Sequence, residues 1–137
     1  MMTTPAKAYI IVADDNKLIG KVLTNKLQAA GYEVLWAVNG MEVLQAVATR
    51  KPDLLLLDLI MPIKDGFTTL KELRANPAIS DIKVVVTSDL EQAADMERIK
   101  QLGAIGYFNK GNLQEIVDKI PQFVPGNIPP PALPPVS

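Results

Sequence analysis

Histidine and cysteine are both missing from this 137-residue chain. Without them there is no disulfide, no thiolate or imidazole metal site, no cysteine nucleophile and no histidine general base, and the chain cannot itself carry a phosphohistidine. Charge of one sign is not in excess either. Fourteen Lys and Arg stand against fifteen Asp and Glu, a net charge of -1. With no dense basic cluster to meet a phosphate backbone, direct binding of nucleic acid is not expected. No uninterrupted apolar segment reaches the length of a membrane span and no signal-peptide pattern is legible, so membrane insertion is not expected and a cytoplasmic location is.

What the chain does have is aliphatic material: 48% hydrophobic residues, enough at this length for one core and too little for two comfortable domains. Short apolar runs alternate with amphipathic stretches. Residues 8–13 read as a strand buried on both faces. Leu18, Ile19, Val22, Leu23 and Leu27 then recur at helical spacing, and Gly31 stops that helix. Residues 32–36 form a second strand, Asn39-Gly40 a turn, and Val43, Leu44 and Val47 a second helix. Leu54 opens a third strand, followed by a loop to Gly66 and a helix carrying Phe67, Leu70 and Leu73. Residues 82–86 and 105–108 complete five strands, with Leu90, Ala94, Ile99 and Leu102 on the fourth helix and Leu113, Ile116, Val117 and Ile120 on the last. Connections this long exclude hairpins and imply parallel strands with right-handed crossovers, a doubly wound α/β domain with helices on both faces.

The residues that close the apolar runs carry the chemistry. Asp14 and Asp15 end the first, Asp58 ends Leu54–Leu57, and Thr87 and Lys110 end the fourth and fifth. In a parallel sheet all five lie along the rim where the functional crevice opens. Three carboxylates brought together destabilise one another's ionised forms, so their convergence suggests a bound cation, and Mg²⁺ or Mn²⁺ suits carboxylate ligands. Singly, each residue also has a plainer use. Asp14 or Asp15 suits a helix N-cap, Thr87 an ordinary strand, Lys110 a solvated surface and Tyr107 a half-buried packing position. Gly66 and Gly103 suit a turn and a helix stop.

Beyond residue 120 the composition changes. Pro121, Pro125, Pro129, Pro130, Pro131, Pro134 and Pro135 leave few backbone donors for a helix or sheet, so residues 121–137 are expected to be an extended, loosely attached tail to a domain spanning 1–120. A linker, a ligand for an aromatic-lined groove and a plain terminus are all compatible with it.

The order of these marks resembles a response-regulator receiver domain of the CheY type over about residues 7–120. The matching features are Asp14-Asp15, Asp58-Leu59-Ile60-Met61-Pro62 with Asp65-Gly66 beyond, Thr87-Ser88, Leu102-Gly103-Ala104, Tyr107 and Lys110. The resemblance implies the flavodoxin-like strand order 2-1-3-4-5. It implies Asp58 as phosphoacceptor, Asp14, Asp15 and Asp58 as ligands of Mg (or Mn), Lys110 as the phosphoryl-contacting lysine, Thr87 as the switch hydroxyl and Tyr107 as the aromatic switch. A sensor histidine kinase or phosphotransfer protein would supply the phosphoryl group and a downstream protein target would read the result. Such a chain is a phosphoacceptor and not a turnover enzyme. Ile60, two residues after Asp58, and Asp89, two after Thr87, are the positions expected to tune the lifetime of the phosphorylated state.

Two departures from the family pattern matter. Gly111 follows Lys110 where many receivers have proline, so this bond is expected to be trans. Gly103–Gly106 lacks the acidic residues that DNA-binding relatives use for dimer salt bridges, so a monomer is expected before phosphorylation. Two other functions fit the fold class. A haloacid-dehalogenase-type phosphotransferase would want an aspartate where Ile60 stands. A pseudo-receiver, a phosphorylation-independent interaction module, would not need the full acidic set with Thr87 and Lys110.

Overall fold

The computed structural model describes residues 7–88 and 93–124, the backbone alone at 93 and 94. Strands β1 (Tyr9–Ala13), β2 (Glu33–Ala37), β3 (Leu54–Leu57), β4 (Val84–Ser88) and β5 (Gly106–Asn109) form one parallel sheet in the order β2-β1-β3-β4-β5. Helices α1 (Lys17–Ala29), α2 (Gly40–Thr49), α3 (Gly66–Ala75), α4 (Ala93–Gln101) and α5 (Leu113–Lys119) connect the strands, and a 3-10 turn, Ile120–Gln122, follows α5. Strand order reverses between β1 and β3, and it is there that a doubly wound sheet leaves a crevice at its carboxyl edge. No helix among the described residues is long and apolar enough to cross a membrane.

The central strands are buried on both faces because their alternating side chains serve two cores. Ile11, Ala13, Leu55, Leu57 and Val84 pack with Val43 and Val47 of α2 and Leu70 and Leu73 of α3. Ile10, Val12, Leu54, Leu56 and Val85 pack with Leu23 and Leu27 of α1 and Ile116 and Val117 of α5. Each fully buried leucine contributes about 1.5–3 kcal/mol, so Leu54–Leu57 anchor the middle of the sheet. Helix α4 is held by a smaller cluster, Leu59, Val86 and Ile99, with Phe67, Met96, Ala104 and Tyr107 against it.

Three expectations are corrected. Leu18, placed on the apolar stripe of α1, is 72% exposed. The buried stripe is Gly20, Leu23 and Leu27, and Leu18 lies about 200° around the helix from Gly20. The fourth strand runs Val84–Ser88 and not 82–86, because the Arg74 guanidinium takes the carbonyls of Ser80 (3.0 Å) and Ile82 (2.8 Å) before the ladder begins. The chain also stays packed past residue 120. Pro121 sits in the first turn of the 3-10 helix, where its missing N–H costs nothing. Phe123 meets Phe108 edge to face at 6.1 Å and Val124 is buried, so the packed chain continues through Val124. The remaining tail, 125–137, lies outside the described residues.

The loop from β3 to α3 contains a γ-turn centred on Ile63, closed by a 2.7 Å hydrogen bond from the Lys64 N–H to the Pro62 carbonyl, with Ile63 at φ 68. A β-branched residue is strained in this left-handed conformation. The Ile63 side chain is 80% exposed and contributes little by burial. Ile63→Gly is therefore expected to stabilise the fold by roughly 0.5–1 kcal/mol, the relief of about 1–2 kcal/mol less glycine's extra freedom when unfolded. Urea denaturation at unchanged m-value measures it, and a destabilised variant would contradict the strain.

Candidate functional site

The parallel ladder runs one residue beyond the strands and fixes both inner carboxylates. The Asp14 N–H donates to the Ala37 carbonyl of β2 and the Asp58 N–H to the Ala13 carbonyl of β1, each at 3.0 Å. Asp14 and Asp58 are thereby set side by side, 1% and 3% exposed. The Lys110 ammonium donates to both, at 3.0 Å to Asp14 and 3.1 Å to Asp58. The other Asp14 oxygen accepts the Asn16 N–H at 2.8 Å, whereas the other Asp58 oxygen has, among the described residues, a long 3.4 Å contact with the Ile60 N–H and no more. Asp15 is exposed, yet one carboxylate oxygen from each of Asp14, Asp15 and Asp58 falls within 4.8 Å of the others. Above them opens a pocket of about 300 Å³ lined by Asp15, Asn16, Asp58, Ile60, Ser88 and Lys110. Neither aspartate of the pair caps α1. Asn16 does, accepting from the N–H groups of Leu18 and Ile19 at 3.0 and 3.1 Å, so neither carboxylate is spent on the helix N–H groups of Leu18 and Ile19.

The pocket holds more negative charge than its one ammonium can neutralise. Burial pushes the Asp58 carboxyl up to about 6; attraction to Lys110 opposes this, the Asp14 charge adds to it, and hydrogen bonds from Lys110 and Ile60 oppose it again. For Lys110, burial alone would depress the ammonium, but the attraction of Asp58 and Asp14 outweighs it and the pKa is raised. With all three carboxylates ionised the pocket carries about two uncompensated negative charges. Its donor set is all oxygen, which fits a hard divalent cation such as Mg²⁺ or Mn²⁺.

The response regulator receiver domain profile matches residues 10–121. The chain belongs to the response regulator receiver family. Among curated proteins it is 31% identical over 101 residues to the polar-differentiation response regulator DivK of Brucella anthropi, covering 74% of this chain and 82% of DivK. Other relatives, described as transcriptional regulators, are longer, and the chain spans only 40–42% of their length. Among solved structures, the phosphorylated cyanobacterial phytochrome response regulator RcpA is 30% identical with a TM-score of 0.78, covering 87% of this chain and 94% of RcpA. The Mn²⁺-bound form of response regulator Rcp1 is 26% identical with a TM-score of 0.74, covering 85% and 93%. The protein is thus a receiver domain of two-component signalling, a class that interacts with histidine kinases or phosphotransfer proteins.

In this receiver the strand-end residues separate into two groups. Asp14, Asp15, Asp58 and Lys110 form one cluster, of which Asp15, Asp58 and Lys110 line the pocket with Ile60, 63% exposed. Thr87 is buried near the end of β4, opposite Phe108 of β5, and it is the next residue, Ser88, that lines the pocket. Tyr107 packs on Leu59, Val86 and Ile99, and its hydroxyl donates to the Ser88 carbonyl at 3.0 Å. Asp89 lies outside the described residues. There is no cis peptide bond among the described residues, the Lys110–Gly111 bond included. Of the residues that line the pocket, Asn16 is the one the sequence does not single out, and Ser88 is marked there only as the neighbour of Thr87. Asn16 carried a signal, an N-cap residue directly after a strand-end acid. Gly66, which suits a turn by its sequence, opens α3 against the end of β3, where a Cβ would run into the Asp58 carbonyl and the Leu59 Cα.

Because the folded pKa of Asp58 lies above its unfolded value of 3.8, the native state binds the extra proton and stability falls as pH rises through about 6. Asp58→Asn removes that ionisation. At pH 7.5 with a chelator present the variant is expected to be more stable than wild type by on the order of 1–3 kcal/mol, with the gap closing toward pH 4. Denaturant melts across that range measure it; a gap independent of pH would contradict the assignment.

Proposed function

We propose that this receiver accepts a phosphoryl group on Asp58 from a phosphohistidine of a sensor kinase or phosphotransfer protein. The observation that carries the reading is the placement of Asp58: buried at the end of β3, hydrogen-bonded to Lys110, with Asp14 and Asp15 close enough to share a cation. An Asp58 oxygen attacks phosphorus, the O–P bond forms as the donor's P–N bond breaks, and the imidazole leaves. Asp14, Asp15 and Asp58 would hold Mg²⁺ or Mn²⁺, which supplies charge neutralisation to the phosphoryl oxygens. Lys110, already between Asp14 and Asp58, is placed to turn from carboxylate to phosphoryl oxygen.

Phosphorylation replaces one negative charge on Asp58 by about two, so the pocket needs new donors. Thr87, buried one residue before the pocket-lining Ser88, supplies a hydroxyl if the end of β4 shifts. Such a shift moves the Ser88 carbonyl that holds Tyr107, which links the charge change to the outer face of β5. Incubation with a small acyl phosphate and Mg²⁺ is expected to add the mass of one phosphoryl group to the intact protein. The adduct is expected to be absent in Asp58→Asn and in excess chelator. An adduct that survives either change would overturn the reading.

The lifetime of that adduct follows from its cover. Hydrolysis needs a water held in line with phosphorus, and Ile60 at the pocket rim has no polar atom on its side chain to hold one. Slow self-dephosphorylation is expected. Ile60→Asn should hasten loss of phosphate by about 10-fold, equivalent to about 1.4 kcal/mol in the transition state. Decay followed after removal of the phosphodonor measures it, and an unchanged rate would acquit Ile60.

A further inference from the structure

The chain's single tryptophan sits where receiver chemistry gives it no role. Trp36 lies on the edge strand β2, and its indole N–H donates to the backbone carbonyl of Asp14 at 2.8 Å. The next residue, Ala37, accepts the Asp14 N–H through its own carbonyl at 3.0 Å. Consecutive residues of β2 therefore hold both main-chain polar groups of Asp14, one by side chain and one by backbone. The indole is seated on α1 at Gly20, where a Cβ would clash with the ring, coming within 2.2 Å of its atoms. Asn16 caps that same helix, and its N–H holds the Asp14 carboxylate at 2.8 Å.

The direction of the Asp14 carbonyl fixes the plane of the Asp14–Asp15 peptide, because that unit is rigid. It thereby fixes the direction in which Asp15 leaves the rim. Asp14 is buried and Asp15 exposed, yet their carboxylates share a site, the chain bending at Asp15 as it leaves β1 for α1. We propose that Trp36 is a positioning residue for this acidic pair: its N–H locks the peptide so that Asp14 and Asp15 offer oxygens to one divalent cation. The proposal rests on the reading of Asp14, Asp15 and Asp58 as a cation site. An aromatic ring alone would pack against Gly20 equally well; the N–H is what the acidic loop uses.

The test separates the ring from its N–H. Calorimetric titration with Mg²⁺ and Mn²⁺ is run on wild type, Trp36→Phe, and a protein carrying benzothienylalanine at position 36, which keeps the bicyclic shape and replaces the N–H by sulfur. Leu23→Ala, which thins the α1 packing beside Trp36 without touching the loop, controls for stability. Both position-36 variants are expected to bind the cations about five- to tenfold more weakly, the worth of one hydrogen bond to a buried carbonyl. Leu23→Ala should lower the melting temperature and leave the cation affinity within twofold. The wild-type tryptophan emission should also change on cation binding, and stop doing so in Asp14→Asn. Affinity within twofold of wild type for the benzothienylalanine protein, or an equal loss in Leu23→Ala, would overturn the positioning role. Absence of cation binding by wild type would instead overturn the cation site itself.

Discussion

Two carboxylates that are almost wholly buried, Asp14 and Asp58, share one ammonium group, and the architecture of the rim follows from keeping that arrangement tolerable. Removing an ion from water costs several kcal/mol even after relaxation, and a buried charge without a partner destabilises strongly. Lys110 offsets part of this for both acids at once. It does not offset all of it, as the raised Asp58 carboxyl records. The site is therefore a stored imbalance, tolerable because the leucines of β3 and the aliphatic residues of β1 stabilise the sheet beneath it. Function and stability pull against each other at these atoms. The fold supplies the aliphatic burial and the pocket consumes some of it.

Holding charged groups this close constrains the backbone around them. Gly66 lets α3 start against the Asp58 carbonyl, and its N–H donates to Leu59 at 3.0 Å, closing the loop back on the strand it left. The same loop reaches α2, where the Gly40 N–H donates to the Lys64 carbonyl at 3.0 Å. Ile63, between these two anchors, is forced into a left-handed turn that a β-branched residue adopts at a cost. Strain here is the local consequence of tying one short loop to both a strand end and a neighbouring helix.

Some of this was legible in the sequence because of how buried parallel strands are written. Their apolar runs are continuous, so the polar residue ending each run marks the rim, and Asp14, Asp58, Thr87 and Lys110 stand at strand ends on that ground alone. Phase and register were not legible. The α1 pattern contains several apolar residues, and only packing shows that Gly20, Leu23 and Leu27 face inward while Leu18 does not. The start of β4 depends on Arg74, which reaches across to carbonyls six and eight residues later. The packed end at Phe123 depends on Phe108 in a strand that the sequence reading placed one residue early. In each case the deciding contact is between elements and not within one, and the apolar pattern of a single element carries no trace of it.

The two halves of the pocket are held unequally, and this bears on where a change of charge would be felt. On the β1 side, Asp14 is fixed through its N–H, its carbonyl and both carboxylate oxygens, and α1 behind it buries Gly20, Leu23 and Leu27. On the β4 side, the described part of α4 buries Ile99 alone, with the Arg98 guanidinium over the Phe67 ring at 3.9 Å on its outer surface. Elements with few buried apolar contacts are those that shift at least cost. On the proposed reading, a charge gained at Asp58 would cost least to accommodate by movement of α4, while the acids stay in place. The asymmetry has a physical logic on the proposed reading: groups that must meet a cation and a phosphoryl donor in fixed geometry sit on the rigid half, and the half that reports the event is the one the core holds least.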